Sequence, residues 1–460
     1  MTGMINTQSK SNVLIAILIL ILLGSCGKNG DPAEILAISV LSVTANGSPL
    51  QDGATNIPID ATIEITFSSE IIPSKFESLT RISQGGTPVS YSVTYTNAAS
   101  KAIVAPNLLE SDTPYELSIS AGELGANGAV YNSGLTLGFV TALGKTPCLT
   151  GSASCVQTMD ITAGSGATFQ FDMYSNYDFI DDSEFNFENI ERLIVVVHGA
   201  NRNADDYFTY LSTALQSAGL EESTLLIAPN FKENSVATNN DLFWDARWRE
   251  GADSGNTNSA VSSFTVIDKL IESVKASGQF SNLSKVFVTG HSSGGAFTQH
   301  YALANTSENT YTDLSFEYIV ANNQYFYYPD GLRYNESTQQ FETPTDCSGY
   351  TYWPYGFDFA VPYLDGMAQS AITEQQVTRN TTYLIGSNDT STTGTLNTTD
   401  CQATLLGSNR VKRGEHMLLY MQTYHANTNN HSKIIVNNVG HDGQAMYQSL
   451  EFKQFLEDHK

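Results

Sequence analysis

In the first third of the chain, apolar residues recur at every second position: Ile63, Ile65, Phe67; then Val89, Tyr91, Val93, Tyr95; then Tyr115, Leu117, Ile119. A period of two puts alternate side chains on one face of a strand. The turn-forming clusters 84–86 (QGG), 125–128 (GANG) and 132–134 (NSG) separate these runs, and no helical period is sustained. Residues 36–143 therefore read as an all-β sandwich. From Cys148 the pattern changes to short continuous apolar runs: 193–197 (LIVVV), 225–228 (LLIA), 286–288 (VFV), 318–320 (YIV), 383–385 (YLI) and 434–436 (IIV). Such runs mark strands buried on both faces of a parallel sheet. Between them Phe208, Leu211, Leu215, and later Phe264, Ile267, Ile271, Val274, are spaced by three and four, with Gly278 ending the second series. Alternation of such helices with such strands predicts an α/β domain over residues 148–460, with a mostly parallel sheet and helices on both faces.

Composition narrows the class. The 460 residues are 41% apolar and 10% aromatic, enough for two cores and too much for a disordered chain. A net charge of −25 repels phosphate backbones and anionic headgroups, which excludes nucleic acid as a partner. No glycine-rich phosphate loop and no metal-ligand spacing occurs, so no cofactor and no metal is expected. At the start, Lys10 precedes an apolar run of about eleven residues, 13–23, roughly half the length a spanning helix needs. The run ends in Leu23, Gly24, Ser25, Cys26, which resembles the bacterial lipobox; the other reading is an ordinary cleavage site with a chance cysteine. The resemblance implies that residues 1–25 are a signal peptide and that Cys26 carries lipid. The mature protein would then be an exported lipoprotein in the periplasm or at the cell surface, touching the membrane through that lipid only. Setting Cys26 aside leaves four cysteines for an oxidising compartment. Three pairings are open to them, and closeness in sequence favours Cys148 with Cys155, hence Cys347 with Cys401.

The chemistry concentrates after the 286–288 run. Gly290, His291, Ser292, Ser293, Gly294 and Gly295 lead into the helix-compatible segment 296–304, giving a G-x-S-x-G turn between a strand and a helix. Glycines two before and two after the serine are required because side chains there would collide in so tight a turn. A serine hydroxyl is a weak nucleophile that needs a base, and the base needs an acid to orient it. His441, in Gly440, His441, Asp442, Gly443 after the last apolar run, is the expected base. Asp389, in Gly386, Ser387, Asn388, Asp389 one strand earlier, is the expected acid. Both lie at the carboxyl edge of the sheet, where open α/β sheets hold their ligands. Asp400 is a weaker rival, and Asp442 is read as a turn former because adjacent side chains point apart. His198 is expected to shape the oxyanion loop and His300 to pack in the core, while His416, His425, His431 and His459 lack placement at a strand end. The backbone N–H groups of Ser293 and of Ala200, in the loop after Val197, are the expected oxyanion donors. Phe243, Trp244 and Trp248, with 325–328 (YFYY), either line an acyl or aryl pocket or pack the core.

Two resemblances follow from these residues. Asn56, Ile57, Pro58, Ile59, Asp60, with the closing Gly138, Phe139, Val140, Thr141, resemble a bacterial Ig-like domain. The elbow around Ser292, the His198–Gly199–Ala200 loop, the Asp389 loop and the segment around His441 resemble an α/β-hydrolase of the secreted esterase and poly(3-hydroxybutyrate) depolymerase-like kind, over residues 148–460. That resemblance implies carboxylic ester hydrolysis through an acyl-enzyme, with Ser292, Asp389 and His441 as triad. The substrate would be a small or polymeric ester, such as an acyl or aryl ester of a polysaccharide or a polyester, and the acidic surface favours neutral ones. A long aromatic insert around Tyr325 to Trp353 departs from the pattern and is expected near the site. A serine peptidase or amidase on the same triad is an alternative. So is a non-catalytic binding lipoprotein, which the presence of all three residues in order disfavours.

Overall fold

A computed structural model describes residues 37–59, 61–107, 109–142, 146–180, 187–238, 240–257, 260–393 and 399–460. The apolar leader and Cys26 lie outside the described residues. Among the described residues no helix is long and apolar enough to cross a membrane. The chain divides into two compact units, Met1–Gly144 and Lys145–Lys460.

The first unit is an Ig-like β-sandwich. One five-stranded sheet centres on Val40–Ala45, Ile63–Phe67 and Lys101–Pro106, and another on Thr80–Gln84, Pro114–Ile119 and Leu135–Thr141. Ile63, Ile65 and Phe67 are buried from the first sheet, and Tyr115, Leu117 and Ile119 from the second, with the intervening residues more exposed. The alternation thus places one face of each sheet in a shared core. One short helix, Pro73–Leu79, departs from the all-strand expectation. It spans only seven residues, so a single buried side chain suffices to seat it: Phe76 packs edge-on against Phe67 at 5.8 Å. One buried residue leaves no period to read.

Strands and helices of the second unit are numbered in chain order: β1 (Val156–Thr162), β2 (Thr168–Ser175), β3 (Arg192–Val197), α1 (Ala204–Ala218), β4 (Thr224–Pro229), α2 (Ser263–Ser277), β5 (Lys285–His291), α3 (Ser293–Ala304), β6 (Ser315–Ala321), α4 (Gln369–Thr378), β7 (Thr381–Gly386), α5 (Arg410–Tyr424), β8 (His431–Val436), α6 (Gly443–Tyr447) and α7 (Leu450–Asp458). They build an eight-stranded sheet in the order β1-β2-β4-β3-β5-β6-β7-β8. From β4 to β8 every neighbouring pair is parallel, while β1 with β2 and β2 with β4 are antiparallel. Leu193, Val195, Val197, Leu225, Ile227, Val286 and Val288 pack with α2 and α3 on one face. Ile194, Val196, Leu226, Ala228, Phe287 and Ile319 pack with α1 and α7 on the other. Burial on both faces is why these strands read as unbroken apolar runs. β8 runs from His431 to Val436, earlier than the apolar residues through Val439 suggest, because Asn438 adopts φ +61° and turns the chain out of the sheet.

Apart from the half-buried Phe243, the aromatics named above are core. Trp248 stacks on Phe231 at 5.3 Å, Trp244 is buried beside it, Tyr325, Phe326 and Tyr328 are buried among Val320, Tyr383 and α5, and Tyr327 is buried against Trp353. The insert is organised around the buried Arg333, whose guanidinium donates to the carbonyls of Asp330, Leu332, Tyr350 and Tyr355. Disulfides join Cys148 to Cys155 and Cys347 to Cys401, with Cα separations of 5.7 and 5.8 Å. The second bridge closes the longer loop, with a sequence separation of 54 against 7. It removes more conformational freedom from the unfolded chain: about 4 kcal/mol by loop-closure entropy, against about 2.5 for the first. Replacing Cys347 and Cys401 together by serine should therefore lower the unfolding temperature more than the same change at Cys148 and Cys155, as calorimetry of the oxidised variants would show.

Candidate active site

The site begins where β5 meets α3. Ser292 sits between them at φ +61° and ψ −114°, a conformation unfavourable for any residue with a side chain. It is held there by Ser292 N–H donating to the Ala321 carbonyl at 3.0 Å and by Ala296 N–H donating to the Ser292 carbonyl at 3.1 Å. The glycines permit the approach. A Cβ on Gly290 would stand 2.3 Å from the Gly294 carbonyl carbon, one on Gly294 2.1 Å from the Val197 oxygen, and one on Gly295 2.7 Å from the Ala321 oxygen. Every residue of α3 is buried, so the helix cannot move aside to relieve such contacts.

At this turn the structure brings Ser292, His441 and Asp389 together. His441 Nε2 lies 2.9 Å from Ser292 Oγ, and His441 Nδ1 lies 2.8 Å from Asp389 Oδ2. Ser292 and Asp389 are 6% and 2% exposed, and the His441 side chain 19%, so the relay is largely shielded from water with the imidazole at its opening. The other carboxylate oxygen, Asp389 Oδ1, is 3.3 Å from Arg410 Nη1 on α5, and both side chains are buried. The guanidinium thus offsets a carboxylate charge that would be costly to bury alone.

The acid and base loops are fastened to each other by backbone. Asn388 N–H donates to the Val439 carbonyl at 2.8 Å, and Ser387 N–H to the Val436 carbonyl at 3.0 Å. Asn322, at the end of β6, joins both to the elbow: its Oδ1 accepts from Gly386 N–H at 2.7 Å, its Nδ2 donates to the Gly440 carbonyl at 3.0 Å, and the same nitrogen is 3.4 Å from His291 Nε2. No single-sequence signal singled out Asn322 or Arg410. Asn322 follows an apolar strand as many loop residues do, and only its φ of +41°, tolerated by asparagine, marks the position in retrospect.

The remaining candidates fall elsewhere. Asp400 is exposed ahead of a one-turn helix, and Asp442 caps α6 by accepting from Ala445 N–H at 3.0 Å. His300 spends its ring nitrogens on the carbonyls of Ala296 and Pro354. His291 bonds Tyr207 Oη through Nδ1 at 2.9 Å and lies against the His441 ring with centroids 4.6 Å apart. Burial, reinforced by the neighbouring His441 and Arg410, holds its titration well below the ordinary histidine range. His198 accepts from Phe231 N–H at Nε2 and donates to the Gly199 carbonyl from Nδ1, a neutral tautomer fixed on both sides. Ser293, as the first residue of α3, has an N–H with no acceptor inside the helix. Ala200 lies in the turn that Arg202 N–H closes onto the Gly199 carbonyl, and the carbonyls of Val197 and His198 at its base press against Gly294. Among the described residues no group of three or more His, Cys, Asp or Glu is placed to hold a metal ion.

The order of the strands, the crossing helices and the glycine-lined turn define the second unit as an α/β-hydrolase fold. Residues 42–141 of the first unit match the bacterial Ig-like domain family. Among solved structures, the chain is similar to LpqC, a poly(3-hydroxybutyrate) depolymerase from Bordetella parapertussis, at 19% identity over 66% of this chain and 91% of that one, with a TM-score of 0.47. Poly(aspartic acid) hydrolase-1 from Sphingomonas sp. KT-1 gives 18% identity over 66% and 97%, with a TM-score of 0.44. S-formylglutathione hydrolase from Staphylococcus aureus gives 14% identity over 66% and 96%, with a TM-score of 0.36. No curated protein matches the chain.

Two expectations follow. Gly294→Ala should destabilise the second unit by several kcal/mol, since its methyl would meet strand backbone rather than a movable side chain; thermal melts of the purified variant check this. His198 carries a pH signature. Burial lowers its pKa from 6.5 to about 4, so between those values the unfolded chain binds a proton that the folded one refuses. Stability should accordingly fall as pH drops through that window, by up to about 1.4 kcal/mol per pH unit from this residue. His198→Gln keeps a neutral donor and acceptor and should flatten the acid limb of unfolding midpoint against pH by about one proton.

Proposed function

We propose that the protein is an exported serine hydrolase that cleaves carboxylic esters through an acyl-enzyme. The observation that carries the reading is the unbroken chain of contacts from Ser292 Oγ through His441 to Asp389, set at a strained turn. In the proposed cycle His441 Nε2 takes the Ser292 proton as Oγ attacks the ester carbonyl. The N–H groups of Ser293 and Ala200 receive the developing oxyanion. Asp389 keeps the Nδ1 proton in place and steadies the imidazolium, which then protonates the departing alcohol. Water enters by the same route, with His441 as base, and releases the acid. Glycine at 199 suits the oxyanion loop, because a Cβ there would press on Tyr207 Oη at 3.0 Å.

The substrate class we assign is short acyl or aryl esters, free or carried on a polysaccharide or polyester. The leader and Cys26 support lipid attachment outside the cytoplasm, and the two disulfides suit an oxidising compartment. The Ig-like unit would then act as a spacer, with the hydrolase unit, Lys145–Lys460, carrying the chemistry.

Ser292→Ala should abolish fluorophosphonate labelling and lower p-nitrophenyl butyrate turnover by several powers of ten without altering the melt. Asp389→Asn should reduce kcat on the order of 10⁴-fold with little change in KM, whereas Asp400→Asn should stay near wild type. Peptide cleavage far above ester cleavage on matched substrates would instead assign the relay to an amidase.

A further inference from the structure

One cation stands at the nucleophile without a role in the relay. Arg249, on the turn Trp248–Glu250, donates from Nη1 to Ser293 Oγ at 3.1 Å, which places its guanidinium one residue from Ser292. The group is held in orientation. Its Nε donates to Tyr325 Oη at 2.9 Å, its carbon lies 5.9 Å from the centre of the Tyr325 ring, and Tyr325 is buried and donates in turn to Glu250 Oε1 at 2.9 Å. These bonds use two of the five guanidinium N–H groups. The side chain nevertheless remains 33% exposed, so part of the fork is open to a ligand. Its nearest carboxylate, Glu250, is 3.9 Å away and already bonded to Arg247 Nε at 2.8 Å. One carboxylate is thus shared by two guanidiniums, leaving a positive charge beside the elbow in a protein of net charge −25.

We propose that Arg249 determines specificity: it receives a carboxylate carried by the ester substrate a few atoms from the scissile carbonyl. The inference rests on the ester-hydrolase reading of Ser292 and sharpens its substrate class from neutral esters to esters that bear an acid. A guanidinium fork matches a carboxylate in geometry and charge, and one already locked by Tyr325 and Ser293 loses little freedom on binding. The acidic surface does not oppose this at contact range, because charges beyond the Debye length of about 8 Å are largely screened at physiological salt.

The test compares the full-length protein on p-nitrophenyl hemisuccinate and 4-carboxyphenyl butyrate, acidic on the acyl and alcohol sides, with neutral p-nitrophenyl butyrate and phenyl butyrate. In the wild type, at least one acidic ester should be hydrolysed with kcat/KM no lower than its neutral counterpart, and that advantage should shrink as salt is raised. Arg249→Gln should lower the acidic-to-neutral ratio by about tenfold or more, chiefly through KM, and Arg249→Lys should restore part of it. Lys269→Gln removes one positive charge from the exposed face of α2, where Lys269 pairs with Glu272, and should leave the ratio near that of wild type. Equal losses on both ester types in Arg249→Gln would show a structural role and overturn the proposal. So would a wild-type preference for the neutral esters in both pairs, a measurement that does not depend on the folding of any variant. Failure of the hydrolase reading looks different: the wild type would turn over none of the four esters and take no fluorophosphonate label.

Discussion

The close approach of backbone to backbone at the elbow fixes the site. Gly290, Gly294 and Gly295 let β5, the end of β3 and the end of β6 come within distances that no side chain could share. The ends of three strands and the start of a wholly buried helix are thereby brought to one point. The positive φ of Ser292 costs on the order of 1–3 kcal/mol. The packing of α3 against both neighbouring strands and the core aromatics offsets that cost, since Phe297 alone contacts Phe231, Trp248, Phe264 and Tyr301. The serine is therefore placed by geometry rather than by looseness. Its side chain points where the loops after β7 and β8 can reach it.

Charge is distributed around that point with some economy. Asp389 is buried between His441 and Arg410, so the carboxylate shares its two oxygens between an imidazole and a guanidinium. Arg249 on the elbow's other flank is braced by Tyr325 and only partly neutralised by Glu250. His291 and His198, both deep, are held below the ordinary histidine range, chiefly by burial. Asn322 holds the uncharged part of this frame, with one amide spanning the acid loop, the base loop and the elbow histidine.

What could be read from the sequence followed physical rules that act locally. The parallel strands β3 to β8 were legible because burial on both faces leaves a continuous apolar run. Ser292, Asp389 and His441 were legible because each follows such a strand at its carboxyl end. The antiparallel hairpin of β1 and β2 was not. Its inner face carries Met159 and Ile161, and then Phe169, Phe171 and Met173, at every second position among Thr, Gln and Asp, so neither strand shows the continuous run that marks the others. Arg249, Arg410 and Asn322 were invisible for a different reason. Arg249 meets Ser293 across 44 positions and Arg410 meets Asp389 across 21, and no spacing rule relates a helix or turn residue to a strand-end loop at such ranges. The aromatics around Trp248 and Tyr325 suggested pocket and core about equally, and only packing decides between them.

The topology also governs when the relay can exist. Ser292 and His441 are 149 positions apart, and His441 is presented by the loop that follows β8, the last strand in sequence and one edge of the sheet. During synthesis or translocation, which expose the chain from its amino end, the elbow can therefore be complete while its partner histidine is still missing. In an unfinished chain Ser292 stands without His441, and the two side chains meet only when the final strand docks. The assembly of this contact is thus delayed by sequence order alone.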